Sequence, residues 1–323
     1  MRIGTIGSGF IVRYILENMA KTDGISCEAV YSRKLETGQK LANEFHVSKV
    51  YTDLDEMCQD DSIDMIYIAS PNSLHYGHAK KALQYGKHVI CEKPFTPTVE
   101  EAKELIDLAK EKHVFLFEAI TTLYHPHFSW IKEHMDCIGD LKMISSTFCQ
   151  YSSRYDLLKN GEVTNVFNPD FAGGSLMDIN VYNIHFLAGL LGRPDHVEYF
   201  AGRHTNGVDT HGILIMTYGD VICQCTGAKD TWCENSVQIM GDKGYMYITP
   251  GSNNSQEVRL IRKNMPEEHI SLPENQWYYE IQELVKLMDA DDYETCYKNL
   301  DITLEVVRIL EACRVGFDGR PTC

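Results

Sequence analysis

The sequence predicts an α/β chain in two parts. Residues 1–120 read as a helix-covered parallel sheet, and residues 121–323 as an α+β domain with a large, mainly antiparallel open sheet. Three observations carry this. Short β-rich runs alternate with helical stretches at first, the pattern of parallel strands joined by crossover helices. After about residue 119 longer strand-like runs follow one another through the turn residues Gly219-Asp220 and Gly241–Gly244, which join antiparallel neighbours. A chain of 323 residues, at roughly 100–200 per domain, also holds two cores.

In the first part, strands are expected at Arg2–Ile6, Cys27–Tyr31, near Val50, and at Met65–Ala69, His88–Cys91 and Val114–Phe117. Helices are expected between them at Ile11–Lys21, Leu35–Phe45, Ser73–Tyr85 and Val99–Lys112, the last opened by Pro97-Thr98 and the acidic Glu100-Glu101. In the second part, strands are expected at Ile144–Gln150, Val197–Ala201, Ile213–Tyr218, Val221–Thr226, Ser236–Met240 and Tyr245–Thr249. Helices are expected at Ser175–Leu191, Trp277–Met288 and Leu300–Arg314.

Composition narrows the class. Hydrophobic residues make up 44% of the chain and charged residues 24%, the proportions of a globular protein. The net charge of −16 argues against nucleic acid and anionic membranes as partners, since both need a cationic face. No apolar run approaches the ~20 residues of a membrane helix. Met1-Arg2 leads at once into the first strand with no signal peptide, so a cytoplasmic protein is expected. The 11 cysteines have no framework spacing and read as reduced thiols.

Gly7-Ser8-Gly9-Phe10-Ile11-Val12 follows the first strand and opens the first helix, where a glycine turn lets a pyrophosphate approach the backbone and the helix N-terminus. Val12 replaces the third small residue of this fingerprint. The position nevertheless makes the first part a Rossmann dinucleotide-binding domain, with Gly7, Gly9, Phe10 and Ile11 at the cofactor. The second strand ends Tyr31-Ser32-Arg33-Lys34 without the carboxylate that binds the ribose of NAD. Ser32 and Arg33 instead suit a 2′-phosphate, so NADP is preferred and NAD is the alternative.

Two further stretches, Ser70-Pro71-Asn72-Ser73-Leu74-His75 and Gly86-Lys87-His88-Val89-Ile90-Cys91-Glu92-Lys93-Pro94, leave the next strands at the carboxyl edge of the sheet, where ligands bind. Pro94 holds Lys93 extended and permits a cis bond. Together these stretches resemble the P-N-x-x-H … G-K-H-V-x-x-E-K-P signature of the glucose–fructose oxidoreductase, inositol dehydrogenase and MocA (Gfo/Idh/MocA) family. Gly173-Gly174-Ser175-Leu176-Met177-Asp178-Ile179-Asn180-Val181-Tyr182-Asn183-Ile184-His185 is similar to its G-G-x-x-x-D-x-x-x-[YH] element. Glu118-Ala119, His125-Pro126, Gly207-Val208-Asp209 and Gly241–Gly244 extend the resemblance over almost the whole chain. The resemblance implies an NAD(P)-dependent oxidoreductase with Ser70, Pro71, Asn72, His75, Glu92 and Lys93 around the cofactor. Tyr182 resembles the NADP-linked dihydrodiol and xylose dehydrogenase branch; inositol dehydrogenases carry His there.

Asp178, Tyr182 and His185 fall at i, i+4 and i+7, one face of a helix. Amid Leu176, Ile179, Phe186 and Leu187, three polar groups on one face ask for a polar cavity. Ser175-x-x-Asp178 also reads as a capping pair, which leaves Tyr182 and His185 unexplained. A Tyr with a free pKa of about 10 is a poor base at neutral pH unless a cation stabilises its phenolate. Tyr182 is therefore expected to carry the proton, with Lys93 as its electrostatic partner or itself the acid/base. Asp178 is expected to orient Lys93, and His185 to bind a substrate hydroxyl. The chain departs from the related branch at Leu123 and Asn165, where that branch carries Arg, so substrate identity does not transfer. Arg154, in the stretch Ser152–Phe171 read as a loop, is the candidate to compensate, and a solvated loop arginine is the plainer reading.

His75-x-x-His78, His125-x-His127 and Cys223-x-Cys225 lack the third and fourth ligands a zinc site needs, so no metal is expected. Ile213, Ile215 and Thr217 alternate with Leu214, Met216 and Tyr218, which makes both faces of that strand apolar and in need of cover. A second copy of the chain is expected on one face, giving a homodimer or higher oligomer. The expected function is hydride transfer between NADP and a secondary alcohol or carbonyl of a carbohydrate-like molecule. The alternative is a dinucleotide-binding sensor that has kept the fold and lost catalysis.

Overall fold

In the computed structural model, which describes residues 1–315, the first sheet contains β1 (Arg2–Ile6), β2 (Ser26–Tyr31), β3 (Lys49–Tyr51), β4 (Met65–Ile68), β5 (His88–Glu92) and β6 (Leu116–Ala119). All are parallel in the order β3-β2-β1-β4-β5-β6. The order reverses between β1 and β4, which opens a crevice at the carboxyl ends of those strands. Every residue of β4 is buried, as a strand covered on both faces requires. The helices Leu35–Phe45 and Val99–Lys112 have the expected ends, and Thr98 caps the second by accepting from the Glu101 N–H. β6 begins later than expected because His113 takes a left-handed φ of 52° and Val114 still bonds back to the Ala109 carbonyl. A short helix at Leu54–Gln59, capped by Asp53, was not anticipated.

The chain divides into two compact units. The first holds Met1–Ala119 with Trp277–Leu304, and the second holds Ile120–Gln276 and the chain from Glu305. Residues 277–304, expected in the second domain, thus return to the first unit. There the Cys296 thiol reaches the Leu116 carbonyl, and Tyr293 stacks on Phe115 at 4.0 Å between ring centroids.

The second unit carries an eight-stranded sheet. Its strands are β7 (Leu141–Cys149), β8 (His196–Arg203), β9 (Asp209–Tyr218), β10 (Val221–Ala228), β11 (Ser236–Gly241), β12 (Gly244–Thr249), β13 (Glu257–Arg262) and β14 (Glu268–Ser271). The order is β14-β13-β12-β11-β7-β10-β9-β8. Neighbours are antiparallel except β7 and β10. The last two strands were missed, since charged residues obscure the alternation of Val258 and Leu260. One face presents Leu214, Met216, Cys223, Cys225, Val237, Ile239, Met246 and Ile248, all wholly buried. The opposite face exposes Met143, Phe200, Ile213 and Ile222 by 40–56%. Among the described residues no helix is long and apolar enough to cross a membrane.

Candidate active site

At the carboxyl ends of β1, β2 and β4 lies a cavity of about 550 Å³, within the size range of small-molecule sites. Of the expected cofactor residues, Gly7, Ser32, Arg33, Ser70 and Pro71 line it, joined by Ser8, Tyr31, Lys34, Thr37 and His78, which were not among the expected cofactor contacts. Gly7 has a φ of 115°, and a Cβ there would fall 2.6 Å from the Ala69 carbonyl oxygen, so only glycine fits the turn. A Cβ on Gly9 would meet nothing within 4 Å, which leaves room for a ligand at the backbone. Gly9 caps the helix Phe10–Met19 with no side chain, so that helix offers its first N–H groups to an anion. Phe10 is 63% exposed and Ile11 half-buried at this helix start, while Val12 is wholly buried in the core.

Further along the same edge, the Lys93–Pro94 bond is cis and Lys93 is half-buried. Asn72 opens a single turn, Asn72–Leu74, ahead of the helix His75–Gln84. The His75 ring is 1% exposed and holds two loops together: Nδ1 lies 2.9 Å from the Pro94 carbonyl, and Nε2 lies 2.9 Å from that of Ser70. Burial lowers its pKa against the two carbonyls, which raise it, and the neutral ring donates to one of them at a time. His78 Nδ1 lies 3.0 Å from Ser70 Oγ, and burial lowers its pKa to about 4. Glu92 is buried and accepts the Tyr67 hydroxyl at 2.5 Å; burial raises its pKa to about 7.

In the second unit, the helix that bears the other expected residues is not α-helical throughout. Its first part, Leu176–Asn180, is a π turn, and the α-helix runs from Val181 to Leu191. Such turns widen the helix locally and recur at functional sites. Asp178 and Tyr182 are its half-exposed side chains here, against a run of buried neighbours. The Tyr182 ring packs edge-on to Phe148 at 5.8 Å. His185 is wholly buried. Of the three expected residues, Asp178 and Tyr182 are thus the ones with accessible surface.

The capping reading of Ser175 and Asp178 gives way to a different cap. Asp209 accepts the Leu176 N–H at 2.7 Å and the Tyr199 hydroxyl at 2.7 Å, while Ser175 makes no side-chain cap. Asp178 is instead paired with Lys229, whose Nζ donates to Asp178 Oδ2. Lys229 was absent from the sequence reading, as were Asn180 and Asn183, which fasten the helix to the sheet. Asn183 Oδ1 accepts Ser146 Oγ at 2.7 Å and Ser252 Oγ at 2.6 Å, and Asn180 Nδ2 donates to the Cys225 carbonyl. The available signal was two amides in an otherwise apolar helix, since buried amides require partners. Leu123 lies in the short helix Thr121–Tyr124, Asn165 in the turn Asn165–Phe167 and Arg154 in the helix Ser153–Lys159. Among the described residues no three His, Cys, Asp or Glu side chains converge as a metal site.

Comparison with known proteins gives two matches to one family. Residues 1–120 match the oxidoreductase family with NAD-binding Rossmann fold, GFO/IDH/MocA, and residues 134–247 match the GFO/IDH/MocA C-terminal domain. The scyllo-inositol 2-dehydrogenase (NADP(+)) IolU of Bacillus subtilis (strain 168) is 33% identical over 316 residues, which cover 97% of this chain and 96% of that protein. The trans-1,2-dihydrobenzene-1,2-diol dehydrogenase of Mus musculus is 27% identical over 256 residues, 77% of this chain and 74% of its own length. Among solved structures, KijD10, a 3-ketoreductase from Actinomadura kijaniata in complex with NADP and TDP-benzene, superposes with a TM-score of 0.84 at 22% identity. That superposition covers 98% of this chain and 97% of the other, and the likeness is one of fold.

Proposed function

The chain belongs to the Gfo/Idh/MocA family of oxidoreductases, and from that premise we propose that it transfers a hydride between NADP and a secondary alcohol, or the matching carbonyl, of a sugar, polyol or vicinal diol. The observation that carries this reading is the cavity at the ends of β1, β2 and β4, with exposed Arg33 and Lys34 and no carboxylate in its lining. The Gly7–Gly9 turn and the uncapped helix N-terminus suit a pyrophosphate, and Ser32 with Arg33 suits a 2′-phosphate. The relatives named for NADP agree with that preference.

NADP supplies the hydride-carrying nicotinamide. The remaining chemistry belongs to side chains. Oxidation of a secondary alcohol releases the hydroxyl proton, which we assign to Tyr182 Oη. Lys93 is assigned to stabilise the phenolate and to donate a hydrogen bond to the reacting oxygen. Asp178 supports these groups from the π turn, and His75 and Glu92 hold the strand ends that carry Ser70, Pro71, Asn72 and Lys93.

The test is titration of the purified protein with NADPH and NADH, followed by turnover on scyllo-inositol, other inositols, aldoses and vicinal diols. NADPH binding and turnover that falls on Lys93→Ala are expected. Failure to bind NADPH, or turnover indifferent to Lys93→Ala, overturns the reading. A Tyr182→Phe variant that loses less than Lys93→Ala transfers the proton to Lys93.

The apolar sheet face supports a second part of the proposal: the protein is a cytoplasmic homodimer or higher oligomer joined through this face. Ile222 pairs across the sheet with Met143, and Phe200 with Ile213, so all four side chains share one exposed surface. Such a patch on a monomer is costly in water. Sedimentation of Ile222→Glu beside the parent chain tests it, and a parent that sediments as a monomer removes it.

A further inference from the structure

Lys229 follows directly on β10, and its backbone is pinned on both sides. Its N–H donates to the Thr210 carbonyl at 2.8 Å, and its own carbonyl accepts the Ser152 N–H at 2.9 Å. The side chain is 6% exposed, whereas that of its partner Asp178 is 30% exposed. The pair is thus layered: a buried ammonium behind, a carboxylate at the rim. A buried ammonium is tolerated only when an anion and good hydrogen bonds compensate its lost hydration. The bond also joins elements that no local sequence feature connects, the end of β10 and the π turn of the site helix, 51 residues apart. Because the lysine backbone is fixed by two neighbouring segments, the position of the Asp178 carboxylate is set from the sheet rather than from the helix that bears it.

We propose that Lys229 is a positioning residue for the reaction: it anchors the Asp178 carboxylate through Oδ2 from the sheet side and so fixes how the carboxylate faces the reacting centre. This rests on the assignment of Asp178 to the substrate side of the site made above. Lys229 acts through Asp178 and needs no contact with the cofactor.

Two features separate this from an ion pair that serves stability alone. The effect must appear in kcat with NADPH affinity unchanged, because the dinucleotide cavity lies in the first unit. It must also vanish when Asp178 is already disabled, since two residues that act as one unit are not additive.

The experiment compares Lys229→Met, Lys229→Arg, Asp178→Asn and the Lys229→Met/Asp178→Asn double variant, using NADP and the best substrate of the panel above. Lys229→Met is expected to lower kcat about 10- to 100-fold, the range found when a metal ligand loses its outer hydrogen-bond partner. Its NADPH Kd should match the parent, Lys229→Arg should recover most of the rate, and the double variant should be no slower than Asp178→Asn. A Lys229→Met enzyme with lowered melting temperature and parental kcat overturns the proposal, as does a double variant slower than Asp178→Asn by the full factor. If Lys229→Met does not fold, Lys229→Gln takes its place with the same expectations. Should the parent turn over nothing in the panel, the functional reading fails by itself. Crystal structures of parent and variant then decide this point: a displaced Asp178 carboxylate in the variant supports it, and an unmoved one overturns it.

Discussion

A Cβ on Gly174 would fall 2.0 Å from Asp209 Oδ1, so the glycine and the carboxylate fill one space. Gly174 also has a φ of 121°, which L side chains avoid. Gly174→Ala is therefore expected to cost at least about 2 kcal/mol, combining backbone strain with the clash. Asp209→Ala should cost about 1–3 kcal/mol, since it removes the cap on Leu176 N–H and leaves the Tyr199 hydroxyl without its acceptor. The double variant should cost less than the sum, because alanine at 209 removes the atoms that alanine at 174 strikes. Urea unfolding of the four proteins checks this; strict additivity would show that the contact is not the cause.

That relationship also shows where sequence reading stops. Gly173-Gly174 and Gly207-Val208-Asp209 stand out in the sequence as separate short elements, yet nothing local says that one caps the other's helix across 33 residues. The first sheet was legible because each strand and helix carries its own period and its own turn residues, and the glycine turn after β1 has a local mechanical cause. Asp178 and Tyr182 were legible because helical spacing brings them together. The burial of His185 was not legible, because spacing gives an angle around a helix and not the depth of what packs against it. Lys229 carries no local signal, since a lysine at the end of a strand reads as a solvated charge until its distant carboxylate is known.

Arg33 lines the dinucleotide cavity beside Ser32 and Lys34. If it meets a 2′-phosphate, Arg33→Ala should weaken NADPH by about 10- to 100-fold, the range of one charge-assisted hydrogen bond, and leave NADH within about twofold. Fluorescence titration with both coenzymes reads the difference. Equal loss for both would place Arg33 elsewhere than on the 2′-phosphate.

Asn183 stands at the centre of a buried polar network. Besides the two serine hydroxyls it accepts, its Nδ2 donates to Asn180 Oδ1 at 2.8 Å and to the Thr226 carbonyl at 3.0 Å. Asn183→Leu keeps the branched shape and the number of heavy atoms but strands at least two hydroxyls, so a loss of about 2–5 kcal/mol is expected. A triple variant in which Ser146 and Ser252 also become Ala should recover part of that loss, because apolar groups replace both sides of each bond. Differential scanning calorimetry checks both; a triple variant no more stable than Asn183→Leu would deny the network its role.

Glu280, on the helix Gln276–Asp289, is 2% exposed and its Oε1 has no hydrogen-bond partner among the described residues. Burial raises its pKa well above 4.5, and the neighbouring Glu92 and Glu118 raise it further. A carboxyl whose folded pKa is raised binds its proton more tightly in the folded chain. Its contribution to stability is therefore full below the unfolded value of 4.5 and is lost as the pH rises through the raised folded value. Glu280→Gln removes one such group and relieves repulsion on Glu92. The variant should be more stable than the parent at pH 8, where the parent carboxyl is either ionised in a buried site or held protonated against the solvent pH. Below pH 4.5 that advantage should disappear, because the parent carboxyl is then protonated in both states. Urea unfolding from pH 4.5 to 8 measures the difference directly. A gap that stays constant across that range would mean that Glu280 does not titrate between the two states.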